Sequence, residues 1–219
     1  MSKSEILGWL TLAFVVYALL HSLLASRGCK AWVARRWPAL MPAYRLLYNL
    51  LALALLAPPL WLLWQWPEPL LWRRPDWLRW VGDGLALAAL AGFVHSLKSY
   101  DLGRFSGTHQ WRRGTPAVDG GEGFQIGVWH RFVRHPWYSF ALVMLWTRDM
   151  NAAQLLFYTL VTLYFVVGSR LEEAKLVAQF GDPYRRYMER VPGLLPRPWR
   201  YLGAAEAAEL VRGEPPTRP

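Results

Sequence analysis

The chain has 219 residues, of which 54% are hydrophobic and 18% charged, with 14 Trp and a single cysteine, Cys29. That aromatic content excludes a disordered chain, and one cysteine excludes a disulfide-built fold. The net charge of +10 suits nucleic acid, acidic lipid or small anions, but no nucleic-acid-binding signature is present, so no nucleic-acid partner is expected.

The first apolar run, 6–25, is 20 residues without a formal charge. A bilayer-spanning helix needs about 20 such residues. The run is longer than a secretory signal's apolar region of about 7–15 residues, and no A-x-A site follows, so it reads as a retained span. Residues 29–40 mix Trp32, Val33, Trp37 and Leu40 with Lys30, Arg35 and Arg36, the pattern of a helix lying at a membrane interface. The second run, 46–66, has 21 uncharged residues and contains Pro58 and Pro59, which predict a kink that neighbouring helices tolerate.

A third span is predicted over 77–97, with Arg79 and Asp83 near its start. The glycine-rich stretch 119–127 is not G-x-G-x-x-G and follows no strand, so it predicts a flexible loop rather than a nucleotide site. Residues 137–147 are too few to span alone and end at Arg148 and Asp149. They read as one arm of a tight helical hairpin whose other arm is 152–168. The end, 213–219, is expected to be disordered. No internal repeat is visible.

Lys and Arg counted between these five segments fall 20 on one side and five on the other. Positive residues favour the cytoplasmic side. The expected protein is therefore all-α: a polytopic helical bundle in the bacterial inner membrane, with five transmembrane helices, the N-terminus outside and the C-terminus cytoplasmic. Membrane lipids are its expected surroundings. The expected organisation is N-terminal membrane helices over 1–98, a catalytic loop, hairpin and tail over 99–203, and a terminal tail over 204–219.

Polar groups within spans are costly and mark function. His21 and His95, each followed by Ser, sit near the inner ends of the first and third spans. The densest signal is the run Val128, Trp129, His130, Arg131, Phe132, Val133, Arg134, His135, Pro136, Trp137, Tyr138. Pro136 suits the first turn of a helix, and a helix N-terminus beside Arg134 and His135 suits a carboxylate or phosphate. Glu172 and Glu173 stand at a cytoplasmic helix end, where adjacent carboxylates need a partner; Arg170, Lys175 or a bound cation is expected to supply it. Tyr184 and Tyr187, three apart, share a helix face. No Cys/His cluster has zinc spacing, no metal is expected, and no G-x-S-x-G elbow is present.

Arg134-His135-Pro136, Tyr138, the hairpin, Glu172-Glu173, then Phe180-Gly181 with Tyr184 and Tyr187, then Val191-Pro192 and Pro196 keep one order and spacing. This pattern resembles the C-terminal half of the isoprenylcysteine carboxyl methyltransferase family, a broad membrane family that includes phospholipid methyltransferases and bacterial thiol S-methyltransferases. The N-terminal half, with His21 to Ala25 and Tyr44 to Asn49, looks like the bacterial members. These include the thiol methyltransferases and NnrU-type proteins, which are similar to a haem-dependent isomerase.

The resemblance implies S-adenosylmethionine bound at the cytoplasmic ends of the helices by His130, Arg134, His135, Pro136, Trp137, Tyr138 and Glu172. Arg170 and Glu173 are the expected catalytic residues, orienting or deprotonating a small thiol or a lipophilic acceptor. At the place of Phe140 the family usually carries Gly, and at His130 often Tyr. The alternative is a haem protein of the NnrU kind with His21 and His95 as axial ligands.

Overall fold

The computed structural model describes residues 2–65, 69–115 and 123–212. Residues 119–122 of the stretch expected to be a flexible loop, and all of the end expected to be disordered, lie outside the described residues.

Ten α-helices follow one another among the described residues, with no strand. Helix α1 is Lys3–Ala25, α2 is Arg27–Arg36, α3 is Met41–Trp64 and α4 is Asp76–Leu97. The short helices α5 (Leu102–Ser106) and α6 (Thr108–Arg113) precede α7 (Pro136–Trp146) and α8 (Ala152–Phe180). Helices α9 (Asp182–Arg190) and α10 (Ala204–Arg212) complete the series.

The starts are written in the sequence. Ser2 accepts from the Glu5 amide while Glu5 accepts from the Ser2 amide, a reciprocal cap that closes the first turn of α1. Asn151 and Gln154 exchange side chain and backbone in the same way at the start of α8. Pro136 occupies the first turn of α7, where its missing N–H costs nothing. Helix α3 continues through Pro58 and Pro59.

Four helical stretches are long and apolar enough to cross a membrane: Lys3–Ala25, Pro38–Trp64, Asp76–Leu97 and Ala152–Phe180. The chain is a polytopic membrane protein. Helix α7 has only 11 residues, about 16 Å at 1.5 Å per residue, against a hydrocarbon core of about 30 Å. Helix α8, at 29 residues, runs well past the expected arm ending at residue 168 and carries Glu172 and Glu173 on its continuation.

The chain divides into two compact units. The first comprises Met1–Arg73, Tyr100–Asp119 and Asp149–Val161. Here α1 packs on α3, with the Tyr48 hydroxyl 2.6 Å from His21 Nε2 and the Tyr44 hydroxyl donating to the Leu24 carbonyl at 2.7 Å. Asn49 of α3 donates to the carbonyls of Phe105 and Ser106. Gly107, at φ +90°, follows, and a Cβ there would fall 2.5 Å from the Leu46 amide nitrogen, so only glycine fits. Large apolar side chains remain outward on this unit, among them Leu19, Leu53 and Trp64. Such a surface suits lipid.

The second unit comprises Arg74–Ser99, Gly120–Arg148 and Thr162–Pro219. Helices α4 and α7 pack antiparallel. The buried residues of α4 are all small: Gly82, Ala86, Ala89, Gly92 and Ser96. The charges predicted near the start of this span are paired. Asp83 takes Arg74 at 3.1 Å and Arg148 at 3.2 Å, and Arg74 also donates to the Thr147 carbonyl. The hairpin turn is thereby tied to the beginning of α4. A separate core gathers Tyr184, Tyr187, Val191, Leu202, Ala207 and Leu210, joined by Phe124 and Phe180.

Candidate active site

The run singled out in the sequence lies within the second unit. Trp129–Arg131 form a 3-10 turn, and His135 is the residue before α7. The backbone between them is tied to the chain after α9. The Arg134 amide donates to the Pro192 carbonyl at 2.9 Å and the His135 amide to Gly193 at 3.1 Å. Arg131 and Leu202 bond in both directions, and the Tyr187 hydroxyl donates to the His130 carbonyl at 2.6 Å. Val191 and Pro192, noted in the sequence without a role, and Gly193 after them fix the start of α7.

On this frame stands an ionic cluster. Arg134 Nε donates to Glu173 Oε1 at 2.8 Å, and its Nη1 donates to the carbonyls of Met188 and Val191. His135 Nε2 lies 3.0 Å from the same Glu173 oxygen, and its Nδ1 lies 3.5 Å from Glu172 Oε2. The partners of the paired carboxylates are therefore Arg134 and His135, not the Arg170, Lys175 or bound cation expected from local sequence. The nearest charges along the helix are not the nearest in space.

The two carboxylates differ in access. The Glu173 side chain is 10% exposed and Arg134 12%, whereas Glu172 is 52% exposed. Burial alone pushes the His135 ring toward neutrality. Its hydrogen bonds to Glu172 and Glu173, with their negative charge, outweigh that and raise its pKa above 6.5. Both ring nitrogens face carboxylates, the arrangement a doubly protonated imidazole satisfies. His130 goes the other way: burial and then the charge of His135 lower its pKa, against a smaller opposing pull from Glu172.

Aromatic rings surround the cluster. His135 stacks on Tyr138 at 5.5 Å, and Tyr138 stacks on Phe165 of α8 at 4.4 Å. Trp137 turns toward α4, donating from Nε1 to Ser96 Oγ at 2.8 Å. Trp129 donates to His95 Nδ1 at 3.1 Å and meets Phe140 edge-on at 5.2 Å.

Of the residues expected at the site, His135, Pro136, Tyr138, Arg134, Glu172 and Glu173 come together around the start of α7 and the end of α8, with His130 on the adjoining turn. Trp137 borders α4 instead. Arg170 is exposed on α8 and forms no ion pair among the described residues. Reasoning from sequence missed Phe165, which stacks on Tyr138, and it noted Ser96 only as the neighbour of His95, whereas Ser96 holds Trp137. The histidines expected as haem ligands fall in different units, each with a partner of its own: His21 with Tyr48 and His95 with Trp129.

A polytopic helical membrane protein with an ordered ionic and aromatic cluster at one set of helix ends has the make-up of an integral membrane enzyme. No family model matches the chain, and no solved structure matches it. Curated relatives do. Methanethiol S-methyltransferase 2 of Bradyrhizobium diazoefficiens is 33% identical over 83% of this chain and 70% of its own length. Methanethiol S-methyltransferase of Pseudomonas deceptionensis is 31% identical over 89% and 74%. The Mycobacterium tuberculosis protein of that name is 34% identical over 85% and 76%. The chain belongs to the methanethiol S-methyltransferase family and is a methyltransferase.

Proposed function

We propose that the protein transfers a methyl group from S-adenosylmethionine to the sulfur of a small thiol, at the cytoplasmic face of a bacterial inner membrane. The observation that carries this reading is the exposed Glu172 set 3.5 Å from His135 at the start of α7, on a chain whose relatives are named methanethiol S-methyltransferases.

The residues present fit the proposed donor. Its aminoacyl end carries an ammonium and a carboxylate, and its sulfonium is cationic. Glu172 is half exposed and offers the ammonium an acceptor. His135 and the positive end of α7 suit the carboxylate, and the Tyr138 face suits a cation. His130 lies on the adjoining turn, and Trp137, next to Tyr138 in the chain, is turned to α4. Once bound, S-adenosylmethionine supplies an electrophilic methyl, so holding acceptor and donor in line is most of what the protein must do. Glu173 is bonded to Arg134 and His135, and Arg134 also to the carbonyls of Met188 and Val191, which suits a positioning role: they fix His135 and, through it, Glu172. Arg170, exposed two residues before Glu172, is the cation that would favour the thiolate form of the acceptor.

Titration of the detergent-purified protein with S-adenosylhomocysteine tests the site. The expected result is micromolar binding that Glu172→Ala weakens at least tenfold while the melting temperature holds. Wild-type binding that is undetectable, or unchanged in Glu172→Ala, overturns the assignment.

A further inference from the structure

Phe140 of α7 packs against α4 and Trp129. Gly92 on α4 faces this side chain so closely that a Cβ at residue 92 would sit 2.9 Å from two ring atoms of Phe140 and 3.4 Å from the Trp129 ring. No other residue type provides that space without moving one of the rings. Trp129 meets Phe140 edge-on at 5.2 Å and is anchored by its hydrogen bond to His95 Nδ1 at 3.1 Å. Trp137, one turn before Phe140 on the same side of α7, is anchored to Ser96 at 2.8 Å. Two large rings, each hydrogen-bonded to α4, thus flank a third that seats in a notch made by glycine.

This aromatic wall adjoins the proposed binding residues along the chain. Trp129 immediately precedes His130, and Trp137 immediately precedes Tyr138. The seam between α4 and α7 is where an acceptor with an alkyl tail would pass if it entered sideways from the bilayer. Phe140 fills that seam.

We propose that Phe140, seated on Gly92 and braced by Trp129, is the residue that sets acceptor size, closing the α4–α7 seam so that only a thiol with a short substituent reaches the methyl donor. The inference rests on the thiol methyltransferase reading and adds the residue that makes the substrate small. An apolar wall separates substrates differing by one methylene by about 10–200-fold, so a removable ring has a measurable effect.

The test uses the full chain in detergent, with methanethiol, ethanethiol, butanethiol and hexanethiol as acceptors. Specificity is read as kcat/KM for each thiol divided by that for methanethiol. For wild type the ratio falls steeply with chain length. In Phe140→Ala the butanethiol and hexanethiol ratios rise at least tenfold. Phe140→Leu, which keeps more of the packing volume, gives a smaller rise and guards against a folding defect in the alanine variant. Gly92→Ala, which pushes the ring out of its notch, changes the ratios in the wild-type background and not in Phe140→Ala. Ratios unchanged in both Phe140 variants, with S-adenosylhomocysteine affinity intact, overturn this inference and leave the methyltransferase reading standing. Failure of wild type to methylate any of the four thiols overturns both.

Discussion

Glu173 Oε1 holds Arg134 and His135 at once, and both Glu173 and Arg134 are nearly enclosed. Removing one member of an enclosed ion pair strands the other, which costs about 3–5 kcal/mol. Glu173→Gln is therefore expected to destabilise the protein by about 3 kcal/mol, read from denaturant unfolding in detergent. Glu172→Gln, at a half-exposed position, should leave the unfolding midpoint nearly unchanged and weaken cofactor binding instead. Equal loss of stability in the two variants would contradict this division. His135 adds a pH dependence with a definite sign. Its folded-state pKa is raised above 6.5, so its contribution to stability is complete below that value and is lost as pH rises through the raised one. The gap in melting temperature between wild type and His135→Asn should shrink from about pH 6 to about pH 9; a constant gap would show that His135 is not charged in the fold. The sequence singled out these residues but not their wiring. Thirty-eight or thirty-nine residues separate Glu173 from its partners, and no local rule reaches across a hairpin.

At the scale of elements, α4 is legible in the sequence as a weak span because Asp83 interrupts it. The structure explains the interruption: Asp83 gathers Arg74 and Arg148 and so ties the turn after α7 to the start of α4. Gly82 makes that approach possible, since a Cβ there would meet Arg74 Nη1 at 2.7 Å and the Thr147 carbonyl at 3.0 Å. Gly82→Leu is expected to destabilise by about 1–3 kcal/mol through overpacking, seen as a lower melting temperature. A rise would mean that α4 and α7 are not held together at this end. The extension of α8 to Phe180 was not legible, because hydropathy stops at the first charges whereas the helix does not. Charge ends an apolar run without ending the hydrogen-bond ladder. The carboxylates stay on a rigid helix, where a loop would have left Glu172 unaligned with His135.

For the molecule as a whole, the distribution of Lys and Arg predicted the topology that the proposed cytoplasmic site requires. A C-terminal green fluorescent protein fusion should fluoresce, and a C-terminal alkaline phosphatase fusion should be inactive; the reverse pattern would put the cluster on the wrong side for a cytoplasmic donor. The all-α, membrane-spanning class follows directly from uncharged runs of 20 and 21 residues. The pairing of α4 with α7 does not, because small residues on a span license many partners. The measurement that bears most directly on the central claim is transfer itself. Purified protein, methyl-labelled S-adenosylmethionine and methanethiol should yield labelled dimethyl sulfide in the headspace, with the yield lost in Glu172→Ala. Absence of labelled product from folded wild-type protein that binds S-adenosylhomocysteine would contradict a small thiol as the acceptor.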